Sequence, residues 1–397
     1  MSRTPNIEPH TTNNELSLRK FVAPEIVYGA GARTHAGQYA VNLGLQRVLL
    51  VSDAGVAECG WVDEVAHALH ESGIQCELYL ECSENPRDKE VMTGTERYRN
   101  ASCDGIVVVG GGSPMDCAKG IGVVWSHDRH INEFEGVDRL TESPPPLICI
   151  PTTAGSAAEV SQFAIITNTH LGKKIALAAK GLVPDVALID PETTLTMSHG
   201  VTSATGVDVF VHACEAFVST AHSPMTDIHA IEAATIVYEC LPQVLSAPKD
   251  LYLRSRMLRA SMEAGLAFSN AILGAVHATS HAVGGRYDAV HGACNGILLP
   301  AVIRLNWGTA EKRYRILAAR LGIELPSSTE AGCDRFVEAV RSFVRLVGNP
   351  LSFREIGLPE LSTDILADFA LADPCMVTNP YKPTKDEVMQ LYEVSRG

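Results

Sequence analysis

The sequence predicts an α/β domain followed by an all-helical one, divided near residue 195 into 1–195 and 196–397. Three observations carry this reading. In the first half, short continuous apolar runs alternate with amphipathic stretches. Beyond about Leu195, Ala- and Leu-rich helical patterns take over and strand-like runs become scarce. The length, 397 residues, also exceeds what one simple core accommodates.

Taken in order, RVLLVSD (47–53) reads as a buried strand and DEVAHALHESG (63–73) as a helix closed by its glycine. CELYL (76–80) follows as strand, KEVMTGTERYRNAS as helix, and GIVVVGGGS (105–113) as strand and turn. Strands this uniformly apolar belong in a parallel sheet covered on both faces. After the Pro-rich TESPPPLICIPTT, VPDVALIDP (183–191) adds further strand character. The second half reads as helices in ATGVDVFVHACEAFVST, SPMTDIHAIEAATIVYECL and RSRMLRASMEAGLAFSNAILGAVHATSHAV.

Composition excludes several classes. With 46% hydrophobic and 20% charged residues the chain is globular, not disordered. A formal charge of -14 with no basic block argues against a nucleic-acid partner. The 11 cysteines include no CxxC pair and read as reduced thiols used as small core residues. No apolar run is read as long enough to span a bilayer. The polar N-terminus lacks the apolar core of a secretory signal, and its first fifteen or so residues read as a loose tail. A cytoplasmic location and no membrane partner are expected.

VVVGGGSPMDCAKG (107–120) follows a strand and opens a helix. Its glycines let backbone approach a pyrophosphate, and the helix N-terminus offers free N–H groups and positive dipole. The alternative is a tight strand–helix turn with no ligand. Asp53 ends the 47–53 strand, where a carboxylate can bind the adenosine ribose diol and repel an extra phosphate, favouring NAD over NADP. Its other role is to cap the next helix. PTTAGSAAEV offers the hydroxyls of Thr152, Thr153 and Ser156 to a phosphate or nicotinamide pocket, whereas Gly29 and Gly31 read as a turn.

GVDVFVHACEAF sets Asp208 and His212 four residues apart, on one helix face. GAVHATSHAVGG does the same for His277 and His281, and His291 follows Gly284-Gly285 after an expected helix break. One carboxylate and several imidazoles suit Fe²⁺, Zn²⁺ or Mn²⁺. A lone histidine on an apolar helix is more often structural; three within fifteen residues beside a D-x-x-x-H are not readily coincidental. Glu215 shares the Asp208/His212 face and reads as a supporting or packing residue rather than a ligand.

GGGSPMDCAKG, IPTTAGSAAEVSQFAI, GVDVFVHACEAFVSTAHSP and HATSHAVGGRYDAVHG together resemble the iron-containing (group III) alcohol dehydrogenases. The resemblance runs from KFVAPEIVYGAGA to LADPCMVTNPYKPT and is greatest to the subgroup named after a bacterial ethanol-oxidation regulatory protein. It implies an N-terminal Rossmann-like parallel-sheet domain and a C-terminal helical metal-binding domain, with the site in the cleft between them. This is the fold shared with dehydroquinate synthase. It implies metal ligands at Asp208, His212, His277 and His291, and a histidine near the nicotinamide at His281. It implies cofactor contacts at Asp53, Asn85, Gly111, Gly112, Ser113, Asp116, Thr152, Thr153, Ser156, Val160 and Lys173. The family commonly has proline before the last ligand histidine and apolar residues ahead of it; here Val290, Arg286 and Tyr287 stand there, which bears on substrate choice.

The expected activity is reversible, metal-dependent hydride transfer between a small alcohol and NAD, by a homodimer or higher homo-oligomer. His281 is the expected proton route, or else a structural hydrogen-bonding residue. Arg286 would clamp an anionic substrate tail, or else face solvent or pair with Asp288. The alternatives are a polyol or hydroxyacid dehydrogenase of the same fold, or a regulatory protein that binds cofactor or aldehyde without turnover.

Overall fold

The computed structural model describes residues 18–397. The loose tail and the lack of a secretory signal, both read from the sequence, fall mostly outside that range. Among the described residues the strands are β1 (Glu25–Tyr28), β2 (Arg47–Val51), β3 (Gln75–Tyr79), β4 (Gly105–Gly110), β5 (Gly136–Val137), β6 (Leu147–Pro151), β7 (Phe163–Asn168), β8 (Lys173–Ala178) and β9 (Val186–Ile189). Between them lie α1 (Ala36–Asn42), α2 (Ala54–Glu58), α3 (Trp61–Glu71), α4 (Asp88–Asn100) and α5 (Gly112–His127).

Six strands form one parallel sheet in the order β1-β9-β6-β4-β2-β3. Successive side chains of a strand face opposite ways, and both sets here are apolar. Val48 and Leu50 pack with Ala36, Ala40, Val65 and Leu69 of α1 and α3. Leu49 and Val51 pack with Val91, Tyr98, Met115 and Ile121 of α4 and α5. The doubly covered parallel sheet expected from the sequence is therefore present. A second sheet, β5-β8-β7, was not legible in the sequence: β7 and β8 form an antiparallel pair whose residues 163–178 flank the cleft.

After residue 198 all regular structure among the described residues is helical: α6 (His199–Val218), α7 (Pro224–Ser246), α8 (Leu251–Ala271), α9 (Ala275–Tyr287), α10 (His291–Arg320), α11 (Thr329–Leu346), α12 (Thr363–Ala372) and α13 (Lys385–Val394). Contrary to the sequence reading, α6 is long and apolar enough by length and composition to cross a membrane. It is instead a core helix, surrounded by α7, α8 and α10 and buried over 83% of that stretch. A helix apolar on every side needs such surroundings.

Two helix boundaries differ from expectation. The pattern read through 254–283 is interrupted at Ile272, a β-branched residue at φ 61°, after which Gly274 opens α9. Positive φ is costly for a β-branched side chain, and such strain collects at functional sites. Further on, Gly284-Gly285 does not break the helix. α9 continues to Tyr287 and stops at Asp288, φ 53°, so that His291 begins α10. Gly285 serves packing: a Cβ there would lie 2.7 Å from the backbone nitrogen of Lys174.

Candidate active site and metal centre

A cleft of about 660 Å³ runs between the C-terminal ends of the sheet strands and helices α6, α8, α9 and α10. On the sheet side, the N-terminus of α5 opens into it. Gly111 precedes that helix in extended conformation, and the glycines are required by a close approach. A Cβ on Gly112 would sit 2.7 Å from Ser156 Cβ, and one on Gly111 3.1 Å from Thr153 Oγ1. The glycine turn and the PTT loop thus press together, with Ser113, Thr152, Thr153 and Ser156 on the cleft wall. This is a cradle of N–H groups, hydroxyls and helix dipole suited to a diphosphate.

Asp53 lines the cleft, and its Oδ1 accepts the Val56 N–H (2.9 Å) to cap α2. Asn85, at φ 56°, lines the cleft and donates to Asp288 Oδ1 (2.8 Å) across it. Asp116 also lines it; burial pushes its carboxyl up to about 6, and Oδ2 accepts the Ile165 N–H (3.0 Å). Val160 and Lys173 are not brought to the cleft. Val160 is core, and Lys173 Nζ pairs with Glu135 (2.8 Å). Lys174, on the opposite face of β8, lines the cleft, where burial lowers the pKa of its ammonium despite nearby Asp116 and Asp208.

On the helical side the structure brings together Asp208 and His212 of α6, His277 of α9 and His291 at the start of α10. Asp208 Oδ1 is their common neighbour, 3.6 Å from His277 Nε2, 3.7 Å from His291 Nε2 and 3.8 Å from His212 Nε2. Ligand atoms of Asp208, His277 and His291 lie within 4.8 Å of one another. His212 packs its ring between Phe268 and His277. Burial alone would raise the Asp208 carboxyl; the surrounding imidazoles hold it well below the usual carboxylate range. Burial brings His212 down to about 3, a neutral imidazole with a free lone pair. Burial also opposes charge on His277, but hydrogen bonds to Asp208 and Glu215 raise it to about 9.

Asn295, one helical turn after His291, was not read from the sequence. Its Nδ2 donates to Asp208 Oδ1 (2.6 Å) and lies 3.2 Å from both His277 Nε2 and His291 Nε2. Its buried Oδ1 has no partner. The Nε2 atoms of His212, His277 and His291 therefore surround the ionised Asp208 carboxylate, beside an amide side chain whose oxygen is unsatisfied. That donor set fits a divalent first-row ion.

Glu215 acts from behind His277. Its Oε2 accepts from His277 Nδ1 (2.6 Å), which fixes the tautomer that turns Nε2 toward Asp208. Its Oε1 accepts the Val276 N–H (2.7 Å), and Asn379 Oδ1 accepts the Ala275 N–H (3.1 Å). These two side chains cap α9 in place of Gly274. A Cβ on Gly274 would lie 2.8 Å from each of them.

His281 lines the cleft one turn beyond His277, its ring stacked on His291. Its Nδ1 meets Asp373 Oδ2 at 2.9 Å, a partner 92 residues away that no local motif announces. Burial opposes ionisation of Asp373, but His281 lowers its carboxyl. Arg286 is exposed and does not line the cleft; Asp288 engages Asn85 and Arg87 instead.

The sequence model described as iron-containing alcohol dehydrogenase matches residues 23–191. That of the Fe-containing alcohol dehydrogenase family, C-terminal, matches 202–395. The NAD-dependent methanol dehydrogenase of Bacillus methanolicus is 34% identical over 94% of this chain and 98% of its own length. Alcohol dehydrogenase 4 of Schizosaccharomyces pombe is 36% identical over 96% of this chain and 90% of its own. The crystal structure of a 1,3-propanediol oxidoreductase superposes with a TM-score of 0.91 at 33% identity, covering 96% of this chain and all of that one.

Proposed function

The chain belongs to the iron-containing alcohol dehydrogenase family, and we propose that it interconverts a small alcohol and its aldehyde or ketone with NAD. The observation that carries this is the meeting, in one cleft, of the α5 N-terminus with Asp208, His212, His277 and His291. Those four residues would hold a divalent ion, iron in this assignment, that would supply Lewis acidity to the alcohol oxygen, with NAD as the hydride acceptor.

The protein's own residues do the rest. Gly111, Gly112 and the first turn of α5 bind the diphosphate, while Thr152, Thr153 and Ser156 line its path. Asp53 takes the ribose diol with the carboxylate oxygen not used in capping, and its charge disfavours NADP. Phe268, Ile272 and Leu273 give the cleft floor an apolar wall that excludes water from the reacting carbon. His281, held by Asp373, carries the alcohol proton away from the floor.

Within the family we assign the chain to the subgroup named after the ethanol-oxidation regulatory protein, on the motifs it shares. We further assign a cytoplasmic homo-oligomer. The test is metal content of purified protein together with an alcohol and aldehyde panel run with NAD(H) and NADP(H). Turnover that tracks bound metal and prefers NAD(H) supports the reading. Stoichiometric metal and bound cofactor with no turnover across the panel would favour a regulatory protein instead.

A further inference from the structure

Beside the Asp208 centre the cleft wall carries a second convergence of ligand types. His281, Asp373 and Cys375 bring an imidazole nitrogen, a carboxylate oxygen and a thiol sulfur within 4.8 Å of one another. They come from two segments distant in sequence, α9 and the turn after α12, and His281 and Cys375 both line the cleft. Asp373 engages both other members: Oδ1 accepts the Cys375 N–H (2.8 Å), Oδ2 meets His281 Nδ1 (2.9 Å), and the Cys375 thiol hydrogen-bonds to the carboxylate. The side chains of His281 and Asp373 are 8% and 10% exposed, so a cation there would be largely shielded from water.

The two centres differ in hardness. Asp208 and its histidines offer only oxygen and nitrogen, a set that hard and borderline ions share. The second trio adds sulfur, which selects borderline-soft ions such as Zn²⁺ and Co²⁺ and disfavours Mn²⁺. The rings of His281 and His291 stand 5.3 Å apart, so an ion at one centre adjoins the other.

We propose that His281, Asp373 and Cys375 form a second, thiophilic metal site in the cleft wall, and that filling it stops turnover by occupying His281. Binding releases the Cys375 thiol proton to solvent and moves the His281 proton from Nδ1 to Nε2, so that nitrogen, carboxylate and thiolate all present lone pairs. His281 then has no free nitrogen to accept the alcohol proton. The loss of turnover rests on the proposed dehydrogenase activity; the ion count does not.

The experiment loads the full chain with excess Co²⁺ or Mn²⁺, removes loosely held metal, and measures ions per chain and the near-ultraviolet sulfur-to-cobalt absorption. Wild type should hold two Co²⁺ with the band, and one Mn²⁺. Cys375→Ser should hold one Co²⁺ and lack the band. Cys375→Ala should do the same, and its retained ion at the Asp208 centre reports that it is folded. Excess Zn²⁺ added to the singly loaded enzyme should lower wild-type turnover at least about tenfold and leave the turnover of Cys375→Ser changed by less than about twofold. One Co²⁺ without the band in wild type, or two Co²⁺ in both Cys375 variants, would overturn the site. The trio would then be only a hydrogen-bonded support for His281. Two ions lost to one in the variants, with no turnover under any condition, would keep the site and remove the dehydrogenase reading.

Discussion

On the sheet side of the cleft, what faces inward is mostly backbone and small side chains: Gly111, Gly112 and the first N–H groups of α5, with Thr152 and Thr153 behind them. On the helical side it is long side chains, Asp208, His277 and His291, each aimed by a partner such as Glu215 or Ser280. The first wall recognises by letting a ligand come close, the second by reaching toward it. They should therefore fail in opposite ways. Adding an atom harms the backbone wall, and removing one harms the side-chain wall.

The largest effect is expected from His277→Ala. It deletes a central donor yet leaves Glu215 its backbone partner at Val276, so α9 stays capped. Bound metal should be lost and turnover should fall by at least about a thousandfold, about 4 kcal/mol of barrier. NAD affinity by fluorescence titration should stay within a few-fold. Retained stoichiometric metal would break the comparison at its root.

Glu215→Ala sharpens it one shell out. Metal affinity, measured by competition with a chelator, should weaken about 10- to 100-fold, as for other carboxylate partners of a ligating histidine. Unchanged affinity would reduce Glu215 to a helix cap.

Gly112→Ala tests the opposite wall. The new methyl meets Ser156 Cβ at 2.7 Å, an overpacking of about 1–3 kcal/mol. Cofactor affinity should drop about tenfold while metal content is unchanged. A variant that binds NAD normally would mean the turn yields, and that its glycines serve the chain reversal alone.

The smallest effect is expected from Arg286→Leu. Because Arg286 is exposed and lines no part of the cleft, kcat/KM for an acid-bearing aldehyde and for a neutral one of similar length should both change by less than about twofold. A loss confined to the charged substrate would bring Arg286 back as an anion clamp.

Periodicity along one element was legible. D-x-x-x-H put Asp208 and His212 on one helix face, and the strand-turn-helix run over 105–120 marked the mouth of α5. Phase and long-range contact were not. One residue of slip on β8 exchanges Lys173 for Lys174 and turns an ammonium from Glu135 into the cleft, because strand side chains alternate. Asn295 sits at the same i+4 spacing from His291 that singled out His212 and His281, but an amide in a small-residue helix raises no signal of its own. Asp373 reaches His281 only through the packing of α12 on α9, which no local pattern encodes. The β7–β8 pair escaped notice because FAIITN and KKIALA mix polar and apolar residues, as strands of a sheet flanking a cleft do.

The edge strand β1 has a consequence for how the chain is made. Among the described residues it pairs only with β9, Glu25 opposite Val186, so its partner lies roughly 160 residues downstream. At ribosomal speeds of about 5–20 residues per second, β1 waits on the order of ten seconds for that partner. During that wait the nascent β2, β3 and β4 can already pair with one another, while the outer edge of β6 stays open until β9 emerges. Maturation of the cofactor half is thus timed by translation of its last strand, and the interval before residue 189 is when a chaperone that shields strand edges has most to protect.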